Sequence, residues 1–102
     1  MSSYFKDVYE LTKSIPEGRV CTYGIISDYL GLGSPRMVGW ALNKSFDKNV
    51  PAHRVVNRKG ELSGRNHFPH PELMQKMLET EGIKVENNKI KDFEKLLWYF
   101  DK

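Results

Sequence analysis

Side chains at Phe5, Val8, Tyr9, Thr12 and Ile15 recur at intervals of three and four, the spacing of one helical face, so the chain is expected to open with an amphipathic helix. Ser3 stands where a cap would sit, and Pro16-Glu17-Gly18 closes the segment. A short β-rich stretch, Arg19-Val20-Cys21-Thr22, leads to a second helix with Thr22 as its cap and Ile25, Ile26, Tyr29 and Leu30 on its buried side. Gly31 stops it by taking a left-handed conformation. A third helix begins with Ser34 as cap and Pro35 in the first turn and runs to about Lys44.

Two short helices joined by a glycine-containing turn predict a helix-turn-helix, whose second helix ordinarily enters a DNA groove. Gly39 and Ala41 on that helix permit close approach of its backbone, either to DNA or to a neighbouring helix. From Asn49 to Phe68 helical periodicity lapses: Pro51 and Gly60 interrupt the chain, and Val55-Val56 reads as a brief strand before an Asn57-Arg58-Lys59-Gly60 turn. A fourth helix is expected from Pro71, burying Leu73, Met74, Met77 and Leu78 and ending at Gly82. A hairpin around Glu86-Asn87-Asn88-Lys89 and a last helix, capped by Asp92 and carrying Phe93, Leu96, Leu97 and Phe100, complete the pattern. The fold class is therefore mainly α with short β segments, winged helix-turn-helix-like, in one domain spanning residues 1–102.

Composition narrows this picture rather than changing it. Apolar residues at 39% and charged residues at 28% suit a globular protein, with Phe5, Phe46, Trp40 and Trp98 as bulk for a core. Sixteen Lys and Arg against thirteen Asp and Glu give a net charge of +3, too mild to indicate nucleic acid by itself. Distribution says more: Lys44, Lys48, Arg54, Arg58, Lys59 and Arg65 lie in one stretch opposed only by Asp47 and Glu61, which fits a solvated surface or a phosphate track. The one cysteine excludes an internal disulfide, no apolar run approaches the length of a membrane span, and Met1-Ser2-Ser3-Tyr4 lacks an export pattern, so a cytoplasmic protein is expected.

The most specific feature is Val50-Pro51-Ala52-His53-Arg54-Val55-Val56. It resembles the Pro-Cys-His-Arg-Val active-site motif of the O6-alkylguanine-DNA alkyltransferase family. Ile15-Pro16-Glu17-Gly18, Thr22-Tyr23, Arg36-Met37-Val38-Gly39 and Glu81-Gly82 resemble that family in the same order. The resemblance implies a helix-turn-helix in the minor groove, a tyrosine that rotates the target nucleotide and an arginine that fills the gap; Tyr23 and Arg36 match. The chemistry requires such parts, because a guanine oxygen is unreachable inside the duplex and an inserted side chain offsets part of the lost stacking. A core role for Tyr23 and a phosphate contact for Arg36 are the plainer alternatives.

Alkyl transfer needs a thiolate, and the matching position holds Ala52, which has no nucleophile. The resemblance therefore points to the alkyltransferase-like proteins, which bind O6-alkylguanine in double-stranded DNA without removing the alkyl group and mark it for nucleotide excision repair proteins. No further N-terminal domain is expected, since the likeness starts near residue 4. His53 and Glu81 match the activating partners of the missing thiol and are expected to remain as a structural pair; Arg54 is expected to brace the loop, or else to contact phosphate. Val50, Pro51, Val55 and Trp40 are expected around the volume that Ala52 leaves free, where methyl and larger adducts would be buried. Ser63, Gly64 and Arg65 fall where the family has a pocket-edge loop and can offer hydrogen bonds to base or phosphate.

Cys21 reads as a buried hydrophobe, and His67 and His70, without further ligands at metal spacing, as surface residues, so neither metal nor cofactor is expected. A monomer acting on DNA, with no membrane contact, is the expectation. Two rivals remain: a methyltransferase homologue with an altered acceptor, and a sequence-specific winged-helix transcription regulator. Preference for damaged over undamaged duplex at one salt concentration separates the second from a lesion reader.

Overall fold

In a computed structural model of the chain, residues 4–101 are described; Ser3, the expected first cap, lies outside them. Among the described residues five α-helices form: α1 (Tyr4–Lys13), α2 (Tyr23–Leu30), α3 (Pro35–Leu42), α4 (Leu73–Thr80) and a single turn, α5 (Phe93–Leu96). The short strands are β1 (Cys21–Thr22), β2 (Val55–Val56), β3 (Val85–Glu86) and β4 (Lys89–Ile90).

The caps act as their residue types dictate. Thr22 Oγ1 accepts from the Ile25 N–H at 3.0 Å, and Ser34 Oγ accepts from the Arg36 N–H at 3.1 Å, so both helices of the helix-turn-helix start on a satisfied backbone donor. Gly31 ends α2 at φ 69° with its N–H returned to the Asp28 carbonyl, as the left-handed C-cap requires. α1 is tied to α3 by two phenols: Tyr4 Oη donates to the Met37 carbonyl at 2.9 Å and Tyr9 Oη to that of Ala41 at 2.7 Å.

β1 and β2 pair in parallel, Cys21 opposite Val55 and Thr22 opposite Val56. Successive side chains of a strand point to opposite faces, and each face here meets its own apolar cluster. Cys21 and Val55 join Val8, Ile26, Val38 and Leu42 under the helix-turn-helix. Val20 and Val56 join Leu62, Met74, Leu78 and Ile83 beneath α4 and the β3–β4 hairpin. The hairpin turns at Asn87 and Asn88, both at positive φ, the conformation that a two-residue turn of this kind needs and Asn tolerates. Gly60, at φ 80°, sits so close to the Phe93 ring that a Cβ would lie 2.9 Å from it, which leaves room for glycine alone.

Several sequence expectations are corrected. α4 begins at Leu73 rather than Pro71; Pro71-Glu72 form a turn first. Asp92 does not cap the last helix with its side chain, because its backbone leaves the hairpin at φ 57° instead of the extended conformation that capping uses. That helix stops at Leu96: the chain turns extended so that Val20 donates to the Leu96 carbonyl and Trp98 donates to that of Val20, making Leu97 a parallel bridge partner of Val20. Arg19 fixes the same turn by donating to the carbonyls of Leu96 and Leu97. Trp40 and Phe46 are not core residues, being 53% and 49% exposed, whereas Phe5 and Trp98 do pack against the first cluster. Among the described residues no helix is long and apolar enough to cross a membrane.

Candidate functional site

The expected site residues fall into two places that meet at Tyr23 and Ala52. The first is built on the single 3-10 turn Ala52–Arg54, which leads directly into β2 and so is held by the parallel pairing. Behind it Glu81, at the C-terminal end of α4, gathers four donors. His53 Nε2 lies 2.6 Å from Oε2; Arg54 donates from Nε to both carboxylate oxygens at 3.1 Å and from Nη2 to Oε2 at 2.8 Å; the Gly18 N–H reaches Oε1 at 3.0 Å. Arg54 Nη1 also donates to the Ile15 carbonyl at 2.9 Å, tying the turn to the end of the α1 segment.

Electrostatics follow from those contacts. Burial alone would raise the Glu81 carboxyl, but the hydrogen bonds from Arg54, Gly18 and His53 outweigh it and hold it at about 2. Burial, together with the Arg54 charge, pushes His53 below its ordinary value, and the Glu81 carboxylate only partly opposes this. His53 is therefore neutral at pH 7. Since a carboxylate only accepts, Nε2 carries the proton, and Nδ1 is a bare acceptor that no described protein group bonds. Histidine, arginine and glutamate thus form a unit of zero net charge, which Arg54 ties to the Ile15 carbonyl.

In front of this unit lies a cavity of about 630 Å³. Val50, Pro51 and Ala52 line it together with Phe68, Leu73 and Met77, and Phe46, also in its lining, packs edge-on against Phe68 at 5.2 Å. Val55 and Trp40 do not line it: Val55 is wholly buried in the first cluster and Trp40 is on α3. Sequence reasoning missed Phe46 and Phe68 here. The available signal was a lone aromatic in the otherwise polar run Asn43-Lys44-Ser45-Phe46-Asp47-Lys48.

The second place is a shallow cleft of about 370 Å³ on α3, where Tyr23, Arg36, Gly39, Trp40 and Asn43 converge. Arg36 is exposed and forms no ion pair with any described residue. Gly39 faces open space, while Ala41 is buried toward α1, so of the two small residues only Ala41 serves helix packing. Between the two places is a narrow seam of about 10 Å³ bordered by Tyr23, Asn43, Ala52 and Gly64. Tyr23 thus borders both the cleft and the seam, and Ala52 both the seam and the large cavity. A Cβ at Gly64 would stand 2.7 Å from the Tyr23 hydroxyl, so this glycine makes room for the phenol. Burial pushes the Tyr23 hydroxyl up, with Ser63 beside it partly opposing. Arg65 is half-buried in the 3-10 turn Arg65–His67 and donates to the Leu62 carbonyl at 3.0 Å. His67 and His70 are exposed. Cys21 is wholly buried, and burial raises its thiol to about 12.

Residues 3–83 match the family described as 6-O-methylguanine DNA methyltransferase, DNA binding domain. Alkyltransferase-like protein 1 of Schizosaccharomyces pombe is 36% identical over 87 residues, covering 83% of this chain and 81% of that protein. A methylated-DNA–protein-cysteine methyltransferase of Thermococcus sibiricus is 41% identical over 84 residues, but the chain spans only 45% of its length. The fold is similar to a crystal structure of S. pombe Atl1 in complex with damaged DNA containing O6-carboxymethylguanine, with a TM-score of 0.82, 31% identity and 96% of each chain covered.

Proposed function

Because the chain belongs to the 6-O-methylguanine DNA methyltransferase DNA-binding domain family, and within it is related to an alkyltransferase-like protein, we propose that it reads O6-alkylguanine in duplex DNA without repairing it. α3 enters the minor groove, Tyr23 turns the damaged nucleotide out, and the Arg36 guanidinium stands in the stack. Arg36 suits the slot because a planar cation stacks on bases and its charge is not committed to another described side chain. Gly39 lets the α3 backbone come near the DNA, and Ser63, Gly64 and Arg65 edge the pocket that receives the base.

The observation that carries this reading is Ala52, placed between seam and cavity where the family motif has cysteine. Its methyl cannot take an alkyl group, and the chain's one thiol, Cys21, is buried and protonated. His53 and Glu81 then serve as the rigid floor of a binding pocket. Removal of the wire, so to speak, leaves the socket: an O6 substituent passes Ala52 toward Val50, Pro51 and Met77, each buried methylene contributing about 0.8 kcal/mol. Since the lesion stays intact, its removal falls to other proteins, and we assign these to nucleotide excision repair. The protein acts as a monomer in the cytoplasm.

Competition between duplexes carrying guanine or O6-methylguanine in one sequence tests the reading. The modified duplex should bind more tightly at equal salt, with lesion recovered intact and the protein mass unchanged. A mass gain of one methyl group, or equal affinity for the two duplexes, overturns it.

A further inference from the structure

Trp40 is the large apolar side chain that α3 leaves in solvent. It is one of two tryptophans in the chain, it sits in the middle of α3 and it leaves 53% of its surface in solvent, although Val38, Ala41 and Leu42 around it are buried. Arg36 and Trp40 are four residues apart, hence on one helical face and about one 5.4 Å turn from each other. That turn exceeds the 3.4 Å rise of one base step, so two side chains on this face meet different steps of a duplex. Gly39, which would meet nothing with a Cβ, leaves a hollow beside the indole. No Asp or Glu occurs from Arg36 to Asn43, and Tyr23 and Asn43 complete the cleft, so the face is cationic and free of groups that repel phosphate.

We propose that Trp40 is a second groove-inserting side chain, an apolar wedge that packs its indole against the sugars and base edges of the minor groove beside the nucleotide that Arg36 replaces. The occupant is double-stranded DNA, and the inference rests on the lesion-reading function proposed above. Arg36 fills the vacated position and acts only when a base has left. Trp40 touches the flanking duplex, which is the same whether the guanine is alkylated or not, so it supplies affinity without discrimination.

The test measures damaged and undamaged duplex binding for the wild type, Trp40→Ala and Trp40→Phe across a salt series. Trp40→Ala should weaken both duplexes by a similar factor, about tenfold on the scale of lost aromatic–base contacts, with Trp40→Phe intermediate. The slope of affinity against salt should not change, because no phosphate contact is lost. Tryptophan emission should change on DNA binding in the wild type and not in Trp40→Phe, where only Trp98 reports. Binding of both duplexes within twofold of the wild type, loss confined to the damaged duplex, or an emission unchanged by DNA overturns the proposal. A wild type that binds both duplexes equally defeats the lesion-reading function instead, and a shared loss in Trp40→Ala would still stand.

Discussion

The Glu81 network and the α3 cleft are both polar, and they are finished to different degrees. Every oxygen of Glu81 is engaged, by Arg54, His53 and Gly18, and its side chain is only 9% exposed. Arg36 and Trp40, by contrast, face solvent without a partner among the described side chains. A carboxylate with both oxygens engaged fixes positions before any ligand arrives; an exposed face has its contacts still to make. On the proposed reading the first region serves the fold and the second serves binding, and substitutions should divide along the same line.

The largest effect is expected at the network. Glu81→Ala strands Arg54 and His53 in a nearly buried place, and loss of one member of a buried pair costs about 3–5 kcal/mol. Urea unfolding checks this, and a loss below 1 kcal/mol would mean that the network is ornament rather than frame. Acid probes it without mutation. Glu81 titrates near 2 when folded, against 4.5 ordinarily, so its stabilisation is complete above pH 4.5 and is lost as pH falls toward 2, about 3 kcal/mol in all. His53, lowered from 6.5, adds to the same trend: the unfolded chain takes its proton first, so stability starts to decline below pH 6.5. Unfolding melts from pH 7 to 2 should slope downward, and the segment below 4.5 should flatten in Glu81→Gln.

Smaller effects, visible in binding and not in folding, are expected on α3. Arg36→Ala should reduce the preference for damaged duplex about tenfold, equivalent to about 1.4 kcal/mol, while the unfolding midpoint stays put. Equal losses on both duplexes would reduce Arg36 to a phosphate contact. Gly39→Ala separates the regions most finely, since the added methyl meets nothing in the protein and should stabilise the helix by about 0.5–1 kcal/mol. It should nonetheless weaken DNA binding, because it fills the space through which the backbone approaches. A variant that is both more stable and equally good at binding would remove α3 from the interface.

Much of this division was legible in the residues. The caps Thr22 and Ser34, the left-handed Gly31 and the Asn87-Asn88 turn are local devices, and they act where the sequence puts them. The His53–Glu81 pairing was expected from the family resemblance, not from spacing, since 28 positions separate the two residues. What escaped was decided at long range. Phe93, Leu96, Leu97 and Phe100 carry a helical period, yet a free edge at Val20 captures Leu97 and ends the helix. Trp40 and Phe46 have the bulk of core residues yet stay outside, because the cores here close on Val, Ile, Leu and Met. Val55 looked like a wall of the cavity by its place in the motif, but strand alternation turns it away.

That alternation has a further effect on tolerance to insertion and deletion. Adding one residue to β2 would advance the chain by about 3.3 Å and exchange the clusters into which Val55 and Val56 project. The penalty falls on both hydrophobic interiors together, so a ribbon two residues long behaves as a gauge block that keeps the start of α2 and the Ala52–Arg54 turn at one separation. Length should therefore stay constant between Ala52 and Val56 in evolutionary and engineered variants alike, and the Asn57–Gly60 turn is no outlet for it, since the Asn57 side chain accepts from the Lys59 and Glu61 N–H groups and Gly60 lies against Phe93.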